Sequence, residues 1–335
     1  GLDLDNQRTF YLFVLAVLCL TVLMVARQRT SAVGRGMLAL RDNPDGAAAY
    51  GIRPVRTKLR SFALAGGVAG LGGGLLSGII SEVPLTGRFY GTGESLRLVS
   101  MAIIGGLGTV IGPVVGAAWV IGLPAFAPSN RLIPLFTSSV GLLVLLLYFP
   151  GGLVQLAYGA RDRLVGWLDQ RTPRGVAKTA QAPPAAPRAP RTFGEATLEA
   201  TDVTVRFGGN NAVSSASIRV DDGEVVALIG TNGAGKSTLM NAIGGFVPAS
   251  GKIKLGDHRI DGLSPPQRVA HGLGRTFQAA TLFPELTVRE TVMVAVEGRK
   301  APGALAIGTA WPPASRLDRA TRAHAGELID FLGLG

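Results

Sequence analysis

A glycine-rich loop between an apolar run and a helix constrains this chain more than any other feature. Gly230–Ser237 reads Gly-Thr-Asn-Gly-Ala-Gly-Lys-Ser and fits the pattern G-x-x-x-x-G-K-[ST] at every fixed position. Before it, Val225–Ile229 is apolar and predicts a buried strand; after it, Lys236–Gly244 predicts a helix. Such a loop directs backbone N–H groups and the positive end of a helix dipole at phosphate oxygens. The pattern therefore predicts a nucleoside triphosphate site.

Single residues of the loop have separate expected roles. Gly230, Gly233 and Gly235 are expected to allow positive φ angles and a close approach of the phosphates. Lys236 is expected to reach the β- and γ-phosphates, and the Ser237 hydroxyl to bind Mg²⁺. A glycine-rich turn without a ligand is the other interpretation. The apolar run before the loop and the Lys-Ser pair within it disfavour that interpretation.

Composition indicates that much of the remaining chain lies in a membrane. The 335 residues include 47 glycines, and the mean hydropathy is +0.34, which is too apolar for an ordinary soluble domain. The formal net charge is +11. The basic residues of the chain cluster beside apolar runs and in a proline-rich segment. We therefore predict that they mark cytoplasmic loops under the positive-inside rule, and we predict no nucleic acid partner. A single cysteine excludes a disulfide framework, and the three histidines lack metal-ligand spacing.

The first two charge-free runs predict membrane spans on either side of a basic loop. Phe10–Ala26 covers about 25 Å at ~1.5 Å per residue. The following loop, Arg27–Arg60, carries eight basic residues against two aspartates, which places it in the cytoplasm. Phe62–Ile80 is the second span, and its glycines at every fourth position across Gly66–Gly74 form a face suited to close helix packing in lipid.

Parity decides how the next runs cross the membrane. Ser81–Arg97 is a polar loop expected outside, and Leu132–Phe149 is a further span. Because ATP lies in the cytoplasm, the chain must return there after this last span. The long charge-free run Leu98–Ala127 therefore crosses either not at all or twice. Its Gly-Gly-Leu-Gly and Gly-Pro interruptions predict two short half-helices, re-entrant or crossing.

The second half has a different pattern. Gly151–Gln170 predicts an amphipathic helix at the membrane interface, and the Pro- and Ala-rich Arg171–Ala196 predicts an extended linker. From Thr197, alternating strands and helices around the glycine-rich loop indicate an α/β fold. We predict a multi-domain chain, an all-α polytopic membrane domain followed by an α/β P-loop nucleotide-binding domain, both incomplete. The boundaries are a partial permease domain at 1–150, an interfacial helix at 151–170, a linker at 171–196 and an ATP-binding domain at 197–335.

Several motifs resemble those of ABC transporters of the branched-chain amino acid uptake type. The permease resemblance rests on LALRDNPDGAAAYGI and VSMAIIGGLGTVIGPVVGA. The resemblance to the ATP-binding subunit rests on VTVRFGG, GTNGAGKSTLMNAIGGF, LGRTFQ and LFPELTVRETV. Together they cover most of the chain outside the linker. In this family the two subunits are commonly separate chains, so their fusion here is a departure.

The resemblance implies further site residues. Phe207 matches the aromatic residue that stacks on adenine; the alternative is a core phenylalanine at a strand end. Gln278 matches the glutamine that senses Mg²⁺ and the γ-phosphate and contacts the permease. The cofactors are then ATP and Mg²⁺, with Ser237 and Gln278 toward the metal. The full predicted nucleotide-binding set is Phe207, Gly230, Asn232, Gly233, Ala234, Gly235, Lys236, Ser237, Thr238 and Gln278.

The resemblance also implies a contact between the two halves. Asn43 can cap a helix of two turns, Pro44 suits its first position and Gly51 suits the position after its end. This segment resembles the coupling helix of the family. We predict that Pro44–Tyr50 packs against Gln278–Leu286.

Two family elements are not found before Gly335. The sequence contains neither the LSGGQ-like signature nor a hydrophobic run that ends in Asp-Glu. We interpret the chain as an internal piece of a longer protein, with the catalytic glutamate unknown. We expect this piece alone to contact nucleotide without competent hydrolysis.

The function implied by the resemblance is ATP-driven import of branched-chain amino acids across the cytoplasmic membrane. The implied partners are a second permease, a second ATPase subunit, an extracytoplasmic solute-binding protein and the lipid membrane. Uptake of urea or short amides is an alternative, because such relatives share these motifs. A membrane-anchored regulatory ATPase without transport is an alternative of another class. The broken run Leu98–Ala127 disfavours it, since a plain anchor needs one unbroken span.

Overall fold

The structure is a computed structural model that describes residues 6–79, 91–126, 137, 142–143, 147–149, 151–169, 197–277, 283–298 and 312–333. Compactness divides the chain into two units: Gly1–Ala26 with Gly67–Thr179, and Arg27–Gly66 with Ala180–Gly335. The basic loop thus groups with the second half of the chain. The domain boundaries at residues 150, 170 and 196 remain predictions along the sequence.

Among the described residues, two helices are long and apolar enough to cross a membrane. They are α1, Gln7–Arg29, with a mean hydropathy of 2.6 in its most apolar window, and α4, Pro54–Ile79, with 1.3. They contain the two spans predicted from the sequence, apart from residue 80, which lies outside the described residues. The predicted packing face from Gly66 to Gly74 meets open space, because within the described part of the chain no atom lies within 4 Å of a Cβ built on its glycines.

The long charge-free run is broken, as the sequence predicts. Helix α5 spans Thr92–Gly105 and α6 spans Gly112–Ala117. A π-helical segment, Ala118–Gly122, and a short helical turn, Leu123–Ala125, continue the latter. Glycines allow the two helices to touch: a Cβ on the last residue of α5 would overlap the carbonyl of the first residue of α6. Side chains of Met101, Ile104 and Val120 form the buried core of this hairpin.

The stretch predicted to be an external polar loop is helical in its last part. Helix α5 begins at Thr92, within the stretch Ser81–Arg97 that the sequence assigned to a loop. Glu94 lies in the first turn, where its negative charge interacts favourably with the positive end of the helix dipole, and it pairs with Arg97 at 3.7 Å. These charges therefore belong to a helix rather than a loop.

Further along the same unit, α7 spans Leu153–Asp169 and confirms the helix predicted there. Val154 is buried, while Leu156 and Trp167 are exposed, so the helix keeps an uncovered apolar surface within the described part of the chain. The predicted span Leu132–Phe149 lies mostly outside the described residues, and the predicted linker lies entirely outside them.

The second unit combines short helices with one antiparallel sheet. Its loop helices are α2, Ala32–Asp42, and α3, Pro44–Ala49. The strands are β1, Leu198–Phe207; β2, Asn210–Val220; β3, Ser250–Leu255; and β4, His258–Arg259, in the order β2-β1-β3-β4. The later helices are α8, Lys236–Gly244; α9, Pro265–Ala270; α10, Val288–Glu297; and α11, Pro312–Phe331.

The core of this region lies between α8 and the sheet. Val203 and Val205 project from β1 and Ile253 from β3 onto Leu239 and Ile243 of α8. Burial of each such aliphatic side chain contributes roughly 1.5–3 kcal/mol. The sheet therefore fixes the helix that begins at the glycine-rich loop.

The prediction of a buried strand before the glycine-rich loop is wrong for this structure. Val225–Ile229 belongs to no strand, and Val225 and Ile229 are 95% and 90% exposed. A strand buried on both faces needs neighbouring strands and covering helices. Within the described residues, the only sheet is the antiparallel one formed by other segments.

Candidate functional site

The glycine-rich loop ends on an open helix N-terminus. Gly233 and Gly235 have φ angles of 85° and 83°, as predicted, whereas Gly230 does not have a positive φ. Gly235 is the N-cap of α8, and no side chain caps the helix. A Cβ on Gly235 would overlap the carbonyl oxygen of Ala212, so glycine is required there for steric as well as backbone reasons. The first N–H groups of α8 are therefore free of side-chain caps, as an anion site requires.

The predicted phosphate-binding lysine is bound to its own loop. Lys236 Nζ donates to the carbonyl oxygens of Gly230 at 2.7 Å and Thr231 at 2.6 Å. These two bonds hold the ammonium group across the mouth of the loop. Ser237, next along the chain, is exposed, and Thr238 is half-buried. An exposed hydroxyl in this position fits Mg²⁺, which prefers oxygen ligands and keeps several of its waters.

The hairpin that carries Phe207 contacts the loop. Ala212 and Val213 of β2 lie against Gly235, and Phe207 faces Asn210 across the start of the same hairpin. The Phe207 side chain is 53% exposed, which excludes the alternative of a core phenylalanine. An exposed ring on the hairpin that touches the loop agrees with a base-stacking role, which stays a prediction.

The remaining predicted residues lie at or after the loop. Asn232 and Ala234 are exposed on it, between the glycines. Gln278 lies outside the described residues. The segment just before it is ordered around Arg275, whose guanidinium lies 5.2 Å from the ring centroid of Phe277 and 5.9 Å from that of Phe246. This cation–π stack connects Phe246, just after the end of α8, with Phe277, the residue before Gln278.

Arg268 binds the C-terminal end of α8, a role that the sequence analysis did not predict. It donates from Nη1 to the carbonyl oxygens of Ala242 at 2.8 Å and Ile243 at 2.6 Å. Its other nitrogens reach the carbonyl oxygens of Leu263 at 2.9 Å and Asp261 at 2.8 Å. Burial lowers the pKa of the Arg268 guanidinium, which nonetheless remains charged in proteins. The positive charge lies at the negative end of the α8 dipole.

Replacement of this arginine will destabilise the second unit. Arg268→Met keeps the aliphatic stem but deprives four carbonyl oxygens of a charged donor, and the bonds to Ala242 and Ile243 among them are buried. We expect a loss of at least about 3 kcal/mol, since hydrogen bonds from charged groups contribute roughly 1.5–3 kcal/mol each. The measurement is the midpoint of thermal unfolding of the detergent-solubilised chain. Arg206→Met on the exposed face of β1 is the matched control; equal midpoints for the two variants would contradict the role given to Arg268.

The predicted loop helix forms with the predicted caps. Asn43 Oδ1 accepts a hydrogen bond from the Gly46 N–H at 2.9 Å, and Pro44 occupies the first turn of α3. Gly51 follows the helix with a φ of 94°. The backbone of Gly51 lies against that of Gly298, where a Cβ on either residue would collide with the other segment. Both positions therefore need glycine.

Helix α3 packs on α2, on α9 and on the segment that begins at Phe283, and the last of these contacts was predicted. Ala47 is fully buried in a cluster with Leu40, Phe283 and Val294. The Tyr50 ring meets the Phe283 ring edge-on, with centroids 6.1 Å apart. The contact falls in the 283–286 part of the predicted receptor; residues 278–282 lie outside the described residues. Small alanine side chains let the helix approach closely without burying a charge.

Comparisons with known proteins agree with this arrangement. Residues 3–130 match the family model of the permease component of branched-chain amino acid transport systems. Residues 213–334 match the ABC transporter family model. The chain thus carries a permease region of the branched-chain type and an ABC transporter ATPase region in one polypeptide.

Individual relatives match the ATPase region. The chain is 42% identical over 99 residues, 29% of its length, to the high-affinity branched-chain amino acid transport ATP-binding protein BraF of Pseudomonas aeruginosa. It has the same identity over the same length to LivG of Escherichia coli K12, another such ATP-binding protein. Ribose import ATP-binding protein RbsA 2 of Rubrobacter xylanophilus is 40% identical over 134 residues, 40% of this chain. The chain spans 39% of the length of BraF and LivG and 24% of RbsA 2.

Proposed function

We propose that the protein imports branched-chain amino acids across the cytoplasmic membrane at the expense of ATP. The observation that carries the proposal is the union, in one chain, of a branched-chain permease region and an ATPase region, with the permease loop helix α3 seated on helices of the ATPase. An ABC transporter ATPase region implies ATP binding. Import and the identity of the solute are the proposed part.

The site residues would act in sequence. Backbone N–H groups of the loop and of the first turn of α8 bind the phosphates. Lys236 exchanges its two carbonyl partners for phosphate oxygens, which frees the loop carbonyls at the same moment. Phe207 would stack on the base, and Ser237 and Gln278 would hold Mg²⁺. ATP has a higher affinity for the closed arrangement of two ATPase subunits, so its binding shifts the subunits toward that arrangement. Helix α3 would move with the ATPase and transmit this movement to the permease.

Reconstituted uptake tests this proposal. The full-length protein is placed in vesicles with its second permease, second ATPase subunit and solute-binding protein, and radiolabelled leucine is added. We expect ATP-dependent accumulation with the wild type and none with Lys236→Ala. Accumulation of urea or acetamide instead of leucine would move the assignment to amide uptake. ATP hydrolysis without accumulation of any of these solutes would favour a regulatory ATPase.

Membrane topology offers a separate prediction. In a Cys19→Ser background, Arg53→Cys and Arg171→Cys should be protected from an impermeant thiol reagent in right-side-out vesicles, and Gly91→Cys should be labelled. The reason is the excess of arginine and lysine in the loop after α1, which the positive-inside rule places in the cytoplasm. Labelling at position 53 together with protection at position 91 would invert the proposed topology.

A further inference from the structure

Arg35 is a buried charge that joins three helices of the second unit. It lies on α2, in the basic loop, with a side chain only 1% exposed. Its Nη2 donates to Glu297 Oε1 at 2.5 Å, and its Nε donates to Glu297 Oε2 at 3.3 Å. The same Nη2 reaches the Asp318 carboxylate, and Nη1 donates to the carbonyl oxygen of Thr30 at 2.5 Å. One guanidinium therefore connects α2 with the end of α10 and with α11.

The surroundings make this connection stronger than an ordinary surface ion pair. Glu297 is the last residue of α10, so Arg35 also meets the negative end of that helix dipole. Burial raises the pKa of the Glu297 carboxyl above its ordinary value, and the hydrogen bond from Arg35 opposes that rise without cancelling it. Burial alone would lower the pKa of Arg35, but its bonds to both carboxylates raise it. A planar guanidinium has five N–H donors and makes these four bonds at once, including the bidentate pair to Glu297, whereas a lysine ammonium has three donors.

A second charged cluster at the same contact is weaker. Glu285 pairs with Arg29 at 3.4 Å and with Arg41 at 2.8 Å, and all three side chains are partly exposed. Exposed pairs of this kind contribute little, because water and salt screen them. The apolar seat of α3 is thus flanked by one buried and one exposed cluster, and the buried one fixes the position of α2.

We propose that Arg35 is a positioning residue for energy coupling: it latches α2 to α10 and α11, so that α3, one residue beyond α2, moves with the ATPase helices. The inference rests on the proposed function in one respect, namely that ATP binding displaces those helices. Without the latch, α3 would be held by the small alanine face and the exposed cluster alone. ATP binding would then proceed while α3 no longer follows.

Hydrogen–deuterium exchange of the full-length protein in detergent tests the latch without any transported solute. The probe is the exchange rate of amides in residues 44–52, with and without ATP, and a fluorescent ATP analogue reports nucleotide affinity. For Arg35→Gln we expect exchange at least about tenfold faster, since protection follows the free energy of local opening. We also expect loss of the ATP-induced change, with nucleotide affinity within about twofold of wild type, because the latch lies outside the phosphate loop.

Arg322→Gln is the matched control. Arg322 pairs with the same Asp318 at 3.4 Å from an exposed position on α11 and does not bond the loop. Its variant should exchange like the wild type. Wild-type exchange in Arg35→Gln, or equal acceleration in both variants, would overturn the latch. If ATP does not change the exchange of residues 44–52 in the wild type, the proposed energy coupling is refuted. The latch is then tested by the faster exchange of Arg35→Gln alone.

A conservative variant covers the case in which Arg35→Gln loses nucleotide binding through misfolding. Arg35→Lys keeps the charge but has only three N–H donors, so it cannot make the bidentate bond to Glu297 together with the bonds to Asp318 and Thr30. We expect the nucleotide affinity of Arg35→Lys to match that of the wild type. We expect its exchange rate in residues 44–52 to lie between the rates of the wild type and of Arg35→Gln. Full wild-type protection in Arg35→Lys would show that the four bonds of the guanidinium are not needed and would overturn the role given to Arg35.

Discussion

Lys236→Ala should weaken ATP binding by roughly 10- to 100-fold, which corresponds to the loss of one or two charge-assisted hydrogen bonds to phosphate. The Lys236 ammonium group donates to the carbonyl oxygens of Gly230 and Thr231. The mutation therefore removes a charge already placed at the mouth of the site. The measurement is titration of the detergent-solubilised chain with a fluorescent ATP analogue.

Lys254→Ala is the control for the loss of a positive charge. Lys254 is exposed on β3, away from the loop in sequence. Its variant should bind ATP like the wild type, and both variants should unfold at the same temperature. Unchanged affinity in a folded Lys236→Ala protein would remove the basis of the proposed nucleotide site.

Phe283→Ala should uncouple transport from ATP binding. The Phe283 side chain is 2% exposed, where it packs on Ala47 and meets the Tyr50 ring. Truncation of a buried phenylalanine to alanine costs about 3–5 kcal/mol, enough to release α3 from its seat. We expect the number of leucine molecules transported per ATP hydrolysed to fall at least about tenfold, with nucleotide affinity preserved.

Phe331→Ala provides the comparison for this second prediction. Phe331 ends α11 and is 53% exposed, so its truncation removes the same ring from a site that contributes little burial. Its transport ratio should equal that of the wild type. If Phe283→Ala transports leucine with the wild-type ratio, the seat of α3 does not carry the coupling.

Local patterns predicted those features of the site that depend on local geometry. Gly233, Gly235 and the start of α8 follow from a fixed spacing of small and basic residues. Caps predicted α3 in the same way, and small side chains predicted its close packing. For the loop glycines and the caps of α3, the decisive contacts lie within a few residues of the chain. The packing of α3 on Phe283 joins distant segments and was expected from the family resemblance.

Features that depend on distant partners were not predictable. Arg35 is one of eight basic residues in its loop, and positive-inside charge explained all eight alike. Nothing in the sequence indicates that this one is buried against carboxylates about 260 and 280 positions later. The sequence did not indicate the role of Arg268 either, because its partners are backbone carbonyl oxygens, which every residue has. The strand predicted at Val225–Ile229 failed for a related reason, since strand formation depends on neighbours that apolar composition alone does not supply.

That extended segment also affects how the protein behaves in solution. Five consecutive apolar residues, three of them β-branched, have no strand beside them in the described part of the chain and leave their side chains largely in water. Uncharged stretches of this composition template aggregation between copies when they stay uncovered. Glu224 is the charged neighbour on one side, and on the other the glycine-rich loop begins. In the described part of the chain, Val225–Ile229 is therefore an apolar strip that a detergent chosen for the membrane helices can also cover.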